Sequence, residues 1–219
     1  MAISKLQRIR ELISDIQADD SCTRINPPLI NQFALHNEIP NRWFDWENRV
    51  NSPIMIIGQD WGPYVHLKKY IDDPSRDHFA SSRTESFIIK TLNSIDPELI
   101  DTIFFTVSVI FTRTGSLFRG SQNYNEGKSF EISYPYVSRQ IDIVKPKVIL
   151  TMGGLAIKVV DRHFKLGLGS QKLSEIIRKG EINSSGSLII PAYHPAAFVS
   201  PELQLKSWKN CGLLVKTDV

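Results

Sequence analysis

Four apolar runs, at residues 53–57, 101–111, 147–152 and 187–192, limit what this chain can fold into. They are rich in β-branched, aliphatic and aromatic residues and lack a clean apolar–polar alternation. Such strands are buried on both faces, as in a parallel sheet covered by helices on either side. The intervening segments carry helical signals. Leu6, Ile9, Ile13 and Ile16 recur at helical spacing behind Ser4 in the N-cap position. Thr84 caps a helix running towards Leu92, and Ser133 caps another with Pro135 in its first turn and Pro146 beyond its end. Gly153-Gly154 opens a helix towards His163, and residues 172–179 form one that ends before Gly180. Ser200-Pro201-Glu202 starts the last.

This alternation predicts a three-layer α/β/α fold with a central, mostly parallel four-stranded sheet. Residues 60–83 and 112–132 read as loops on their turn residues and polarity. Residues 1–52 read as a helical and irregular lead-in, and residues 1–219 as a single domain, since 219 residues suit one large core better than two. In the lead-in, Trp43, Phe44 and Trp46 either cover core edges or form an aromatic groove for bases.

Composition narrows the class. Hydrophobic residues make up 42% and charged residues 22%, the balance of a globular chain. The net charge of +3 permits an anionic partner, but there is no basic run of the kind that tail-driven nucleic-acid binders use. The two cysteines, Cys22 and Cys211, have no metal-ligand spacing and read as free thiols of a reducing compartment. No apolar run is long enough to span a bilayer and the first residues lack a signal peptide's apolar block, so the expectation is a cytoplasmic protein without a membrane partner.

Loops at the carboxyl ends of parallel strands are where open α/β sheets bind ligands. Gln59-Asp60 follows the first run, Ser108 lies near the end of the second, Gly153-Gly154 follows the third, and His194-Pro195 follows the fourth. One loop thus offers a carboxylate and another an imidazole. Each has an ordinary alternative: Asp60 as a turn or cap residue, His194 as a histidine in a turn before proline. Gly153-Gly154 serves either close helix–sheet packing or a helix N-terminus that holds a phosphate. No Walker A loop, dinucleotide fingerprint or nucleophile elbow occurs, and His36, His66, His78 and His163 lack metal-like spacing. No metal or cofactor is expected.

These motifs, from about residue 53 to residue 198, resemble those of the uracil-DNA glycosylase superfamily. Gly58-Gln59-Asp60 matches the first half of the G-Q-D-P-Y-H motif of the main uracil glycosylases. Gly62-Pro63-Tyr64 is similar to the G-P-F segment of the single-strand-selective branch, and His194-Pro195-Ala196-Ala197 to the H-P-S or H-P-A-A motif. Tyr134-Pro135-Tyr136, and Lys145-Pro146-Lys147 through Gly153, are similar to a helix and strand of the iron–sulfur branch. The resemblance implies cleavage of the N-glycosidic bond of uracil or a related base flipped out of DNA. Asp60 would serve the sugar cation and the attacking water, and His194 the leaving base. It further implies base contacts at Gln59, Gly62, Tyr64, Phe79, Val107 and Ser108, with Phe79 or else Tyr64 as the stacking aromatic. DNA contacts fall at Gly153, Gly154, Pro195 and Phe198, the last as an apolar wedge or simply a core residue. A monomer is expected.

The chain departs from the pattern at several positions. Val107 stands where the superfamily has an asparagine that reads the uracil edge, and valine cannot hydrogen-bond a base. Gly62 stands where the main branch has the tyrosine that excludes thymine, and Trp61 replaces a proline. Ser133 lies near a cluster cysteine of the iron–sulfur branch, so the cluster is expected to be absent. Beside the enzyme stand two alternatives: the same fold as a catalytically inactive module binding nucleic acid or a modified base, and a crevice for a small nucleotide.

Overall fold

The computed structural model describes residues 3–35, 45–72, 83–114, 126–195, 197, 199–200, 202–203 and 208. Helix α1 (Lys5–Ala18) begins as its sequence requires: the Ser4 hydroxyl accepts the Gln7 N–H at 3.1 Å, and Ile9, Leu12 and Ile16 form its buried stripe. The lead-in then holds more regular structure than its prolines suggest. A 3-10 turn (Ser21–Thr23), β1 (Leu29–Ile30), α2 (Gln32–Leu35) and α3 (Trp46–Arg49) follow. Trp46 is 1% exposed, which favours core over an aromatic groove. Trp43 and Phe44 lie outside the described residues.

The remaining elements are β2 (Ile54–Asp60), α4 (Tyr64–Asp72), α5 (Arg83–Ile95), α6 (Leu99–Thr102), β3 (Phe104–Val109) and β4 (Thr112–Arg113), then α7 (Glu126–Val144), β5 (Val148–Met152), α8 (Gly154–Phe164), α9 (Leu173–Lys179), β6 (Ile182–Ser184) and β7 (Ser187–Ala192). The main sheet has five strands in the order β3-β2-β5-β7-β6. All four apolar runs are strands and pair in parallel; β6 adds an antiparallel edge.

Helices cover both faces, so the three-layer reading stands. In β2, Met55 and Ile57 pack on the side of α1, α7 and α8, while Ile54 and Ile56 pack on the side of α5 and α6. That is the period of two expected when both faces of a strand are buried.

The differences from the sequence expectations have local causes. The fifth strand went unread because Ile182-Asn183-Ser184 is short and polar; β7 holds it through a hairpin whose Ser185 and Gly186 both have positive φ, 47° and 84°. Residues 64–72 form α4 rather than loop. Helix α7 starts at Glu126, not near Ser133, so Pro135 lies inside the helix rather than in its first turn. Ser133 is no cap: fully buried, its hydroxyl accepts the Ile110 N–H at 3.2 Å. Residues 112–132, read as loop, hold β4 and the first turns of α7. Among the described residues, no helix is long and apolar enough to cross a membrane.

Two titratable groups lie in this framework, away from the strand ends. Cys22 is fully buried, and that burial, reinforced by Asp19, pushes its thiol up to about 11. A thiol so held is a poor nucleophile. Iodoacetamide at pH 8 is expected to leave Cys22 unmodified in the native protein and to alkylate it in denaturant, read by peptide mass spectrometry.

His163 bridges two helices. Its Nδ1 lies 2.8 Å from the Ser138 hydroxyl of α7 and its Nε2 lies 3.7 Å from Asp142. Burial, only partly opposed by Asp142, lowers its pKa from the ordinary 6.5. The unfolded chain therefore takes up this proton more readily than the folded one. The stabilising contribution is complete above pH 6.5 and is lost as pH falls through the lowered folded value. Melting curves between pH 7 and 5 are expected to fall more steeply for the wild type than for His163→Gln.

Candidate functional site

The strand order makes a crevice. The chain leaves β2 towards β3 and leaves β5 towards β7, in opposite directions. Loops diverging in this way open a cleft at the carboxyl edge, between β2 and β5. Asp60 closes β2 on one side, and Gly153-Gly154 follows β5 on the other.

Asp60 is tightly placed. Its Oδ1 accepts the Gly62 N–H at 2.8 Å, an Asx turn that Gly62 completes at φ +78°. Pro63 then forms a bridge with Arg113 of β4. The Arg113 side chain returns to the same carboxylate: Nε lies 3.1 Å from Oδ2, and Nη2 lies 3.5 Å from Oδ1. The Asp60 side chain is only 10% exposed and that of Arg113 18%. Nε is close to Oδ2 but its N–H is not aimed along the contact, so Oδ2 accepts no hydrogen bond among the described residues. We therefore read the 3.1 Å contact as coulombic.

The opposite wall is built by β5 and β7, paired as far as Met152 and Ala192. The Gly153 N–H donates to the Ala192 carbonyl at 2.9 Å, which pins the two strand ends together. Gly153 has φ +91°, so its lack of a side chain is conformational; a Cβ there would meet the His194 Cβ at an ordinary 3.5 Å. The His194 carbonyl accepts the Ala197 N–H at 2.7 Å, turning the chain just after the imidazole. His194 itself is partly buried and Pro195 is buried. Since β5 alone separates β2 from β7, the Asp60 and His194 loops are offset by two strand spacings, roughly 10 Å.

Next to Asp60, the face that β2 shares with β3 and β5 is apolar. Val107 is 1% exposed and sits opposite Gly58 in the β2–β3 register. A Cβ on Gly58 would come within 3.2 Å of Val107, 3.3 Å of Met152 and 3.6 Å of Phe105, so glycine permits this close packing. The Trp61 ring packs on Phe105 at 5.9 Å. Ser108 is not brought to the cleft: fully buried, its hydroxyl donates to the Gly58 carbonyl at 2.7 Å. Gln59 and Tyr64 are partly buried at the strand end and at the start of α4. Phe79 and Phe198 lie outside the described residues.

Sequence reasoning missed Arg113. It lies in a stretch read as loop, and its one signal is a lone cation four residues past the apolar end of β3. Nothing local pairs it with a carboxylate 53 residues earlier.

An open, mostly parallel α/β sheet thus sets Asp60 and His194 at one carboxyl edge, the edge at which folds of this class bind ligands. A family model described as the uracil DNA glycosylase superfamily matches residues 44–211, and the chain belongs to that superfamily. The chain is also similar to a type-4 uracil-DNA glycosylase of Sulfurisphaera tokodaii, 33% identical over 66 residues. That match spans 29% of this chain and 29% of that protein.

The superfamily's iron–sulfur branch raises the question of a cluster here. Such a cluster needs four thiolates. The sequence has two cysteines, and the Ser133 hydroxyl is engaged with Ile110, so these residues do not fit one.

Proposed function

We propose that this protein is a DNA glycosylase that hydrolyses the N-glycosidic bond of uracil, or of a related damaged base, flipped out of DNA. The observation that carries this reading is Asp60: a carboxylate nine-tenths buried at the end of β2, its Oδ2 without a hydrogen-bond donor among the described residues, with β5 alone between its strand and the one that leads to His194. Such an oxygen suits a water or a sugar cation better than a turn alone.

In this mechanism the C1′–N bond breaks and its electron pair leaves with the base. Positive charge gathers on the sugar, where the Asp60 carboxylate stabilises it and orients the incoming water. Negative charge gathers on the base carbonyl, where His194 donates a hydrogen bond. Water adds its oxygen to C1′, and its released proton neutralises the departing base. In this reading the flipped base packs beside the apolar cluster of Val107, Met152 and Phe105, and unstacking that base costs a few kcal/mol. Gly153 and Gly154, at the start of α8, suit a backbone phosphate. We read Ser108 as structural, because its hydroxyl is taken by the Gly58 carbonyl.

Val107 also supports a second reading, an inactive module that binds nucleic acid or a modified base, because valine cannot hydrogen-bond a base where the superfamily has an asparagine. The test uses labelled single-stranded and mispaired oligonucleotides containing uracil, incubated with the protein and then treated with alkali. Breaks that vanish in Asp60→Ala support the enzyme. Salt-dependent binding without breaks favours the module.

A further inference from the structure

We propose that the outer stripe of α8, formed by Gly154, Lys158 and Arg162, is a track for the sugar–phosphate backbone of a single strand leaving the cleft. This rests on the DNA substrate proposed above and adds the path of the strand beyond its target nucleotide.

Helix α8 starts at the carboxyl edge, directly after β5, and packs on β2, β5 and α7. Its inner face is buried through Leu155, Ala156, Ile157, Val159 and Val160. Gly154, Lys158 and Arg162 are its exposed positions, each four residues after the last, and so form one stripe. Four helical residues rise about 6 Å. A cation therefore stands one turn, and another two turns, below the edge where the cleft opens. That step is close to the spacing of successive phosphates along an extended strand.

Both cations are held in place from below. The Lys158 Nζ lies 4.3 Å from the centre of the Phe130 ring, and the Arg162 guanidinium lies 4.1 Å from that of Tyr134. Those two rings are one turn apart on α7 and 5.8 Å from each other. Two neighbouring helices thus match ring to cation at the same pitch. Cations interleaved with aromatic faces are what sequence-tolerant single-strand binders use.

Covering the rings does not require the charges, since aliphatic stems would do it equally well. Among the described residues Lys158 has no carboxylate partner. Arg162 pairs with Glu131 at 2.7 Å, but the two side chains are 48% and 56% exposed, so solvent screens the pair. Glu131 also engages only one of the five guanidinium N–H donors. Asp161, the acid of the same helix, is turned to the Leu168 N–H at 2.8 Å. A duplex is too stiff over this length to turn from the edge down the flank, whereas a single strand follows it.

The experiment titrates the full chain, by fluorescence anisotropy, into labelled oligonucleotides. Each holds one 2′-fluorinated deoxyuridine, whose sugar resists cleavage because fluorine destabilises its cation, extended by zero to six thymidines on the 5′ or the 3′ side. In the wild type, lengthening one side is expected to tighten binding over the first few nucleotides, the salt slope of log K growing by about 0.7 per phosphate engaged. Lys158→Met keeps the stem over Phe130 and removes the charge. It is expected to lose about 0.7 of that slope, and Lys158→Met with Arg162→Gln about 1.4. Glu131→Gln releases Arg162 from its acid and is expected to tighten binding of the long oligonucleotides about 2- to 3-fold. Pairing the thymidines with a complementary strand is expected to abolish the gain from length. Length gains and salt slopes that stay at wild-type values in the double variant overturn the proposal. So does a wild type indifferent to length on both sides, a result that needs no variant to fold. A paired extension that binds as tightly as the single strand overturns the single-stranded form of the track. If the wild type releases no base from uracil oligonucleotides while the stripe still sets binding, the glycosylase reading fails and the track stands. If no oligonucleotide binds at any length, both fail.

Discussion

Asp60→Asn is expected to slow base release by about 10²- to 10³-fold. Asparagine keeps the shape of the side chain, and its carbonyl oxygen can still accept the Gly62 N–H that closes the turn. What it removes is the charge. A fixed charge or dipole aimed at developing transition-state charge is worth roughly 3–4 kcal/mol, and each 1.36 kcal/mol is about a factor of ten in rate. The Asp60–Arg113 pair is largely buried, so losing the carboxylate charge leaves the guanidinium uncompensated and is expected to lower the melting temperature as well. Single-turnover release of uracil, followed alongside thermal melts of both proteins, separates chemistry from folding. A rate unchanged in Asp60→Asn would remove this carboxylate from the reaction.

Trp46→Ala is expected to be the most damaging single change to stability, at about 4–6 kcal/mol. The indole is 1% exposed, stacks on Phe104 at 6.0 Å and packs against Phe33 at 5.3 Å. Removing a buried tryptophan leaves a cavity and costs roughly 3–5 kcal/mol. Its Nε1–H also donates to the Phe105 carbonyl at 2.9 Å. That bond matters because, among the described residues, β3 is an edge of the sheet with no strand beyond it. Arg49, one turn on, donates to the Ile100 and Ile103 carbonyls at the end of α6 that leads into β3. For a chain of this size the loss corresponds to a drop of about 10–20 °C in Tm. Trp46→Phe keeps the ring contacts and is expected to lose only about 1–2 kcal/mol, the share of the hydrogen bond and the smaller ring. Equal losses in the two variants would show that packing, not the edge bond, is irrelevant to this site.

Much of the scaffold was legible because it rests on local signals. Ile54 to Ile57 read as a doubly buried strand because continuous apolar character has few other uses over so short a run. Gly153 and Gly180, both at positive φ, mark the start of α8 and the end of α9 where the residues said they would. Ser4 caps α1 as expected. The misses share one cause. Residues Ile182-Asn183-Ser184 form β6 only because β7 offers an open edge, and residues 126–132 join α7 because Ser129, Phe130 and Ser133 pack inward against the sheet.

The same division runs through the site. That Asp60 and His194 would each end a buried strand follows from the order of apolar runs and turns along the chain, because strand position depends on neighbours in sequence. Folding alone brought Arg113 to within 3.1 Å of Asp60, turned Ser108 onto the Gly58 carbonyl and set Val107 against Gly58. Those contacts join residues about 50 positions apart, and register, face and charge pairing between distant strands are settled by packing, which no local pattern encodes.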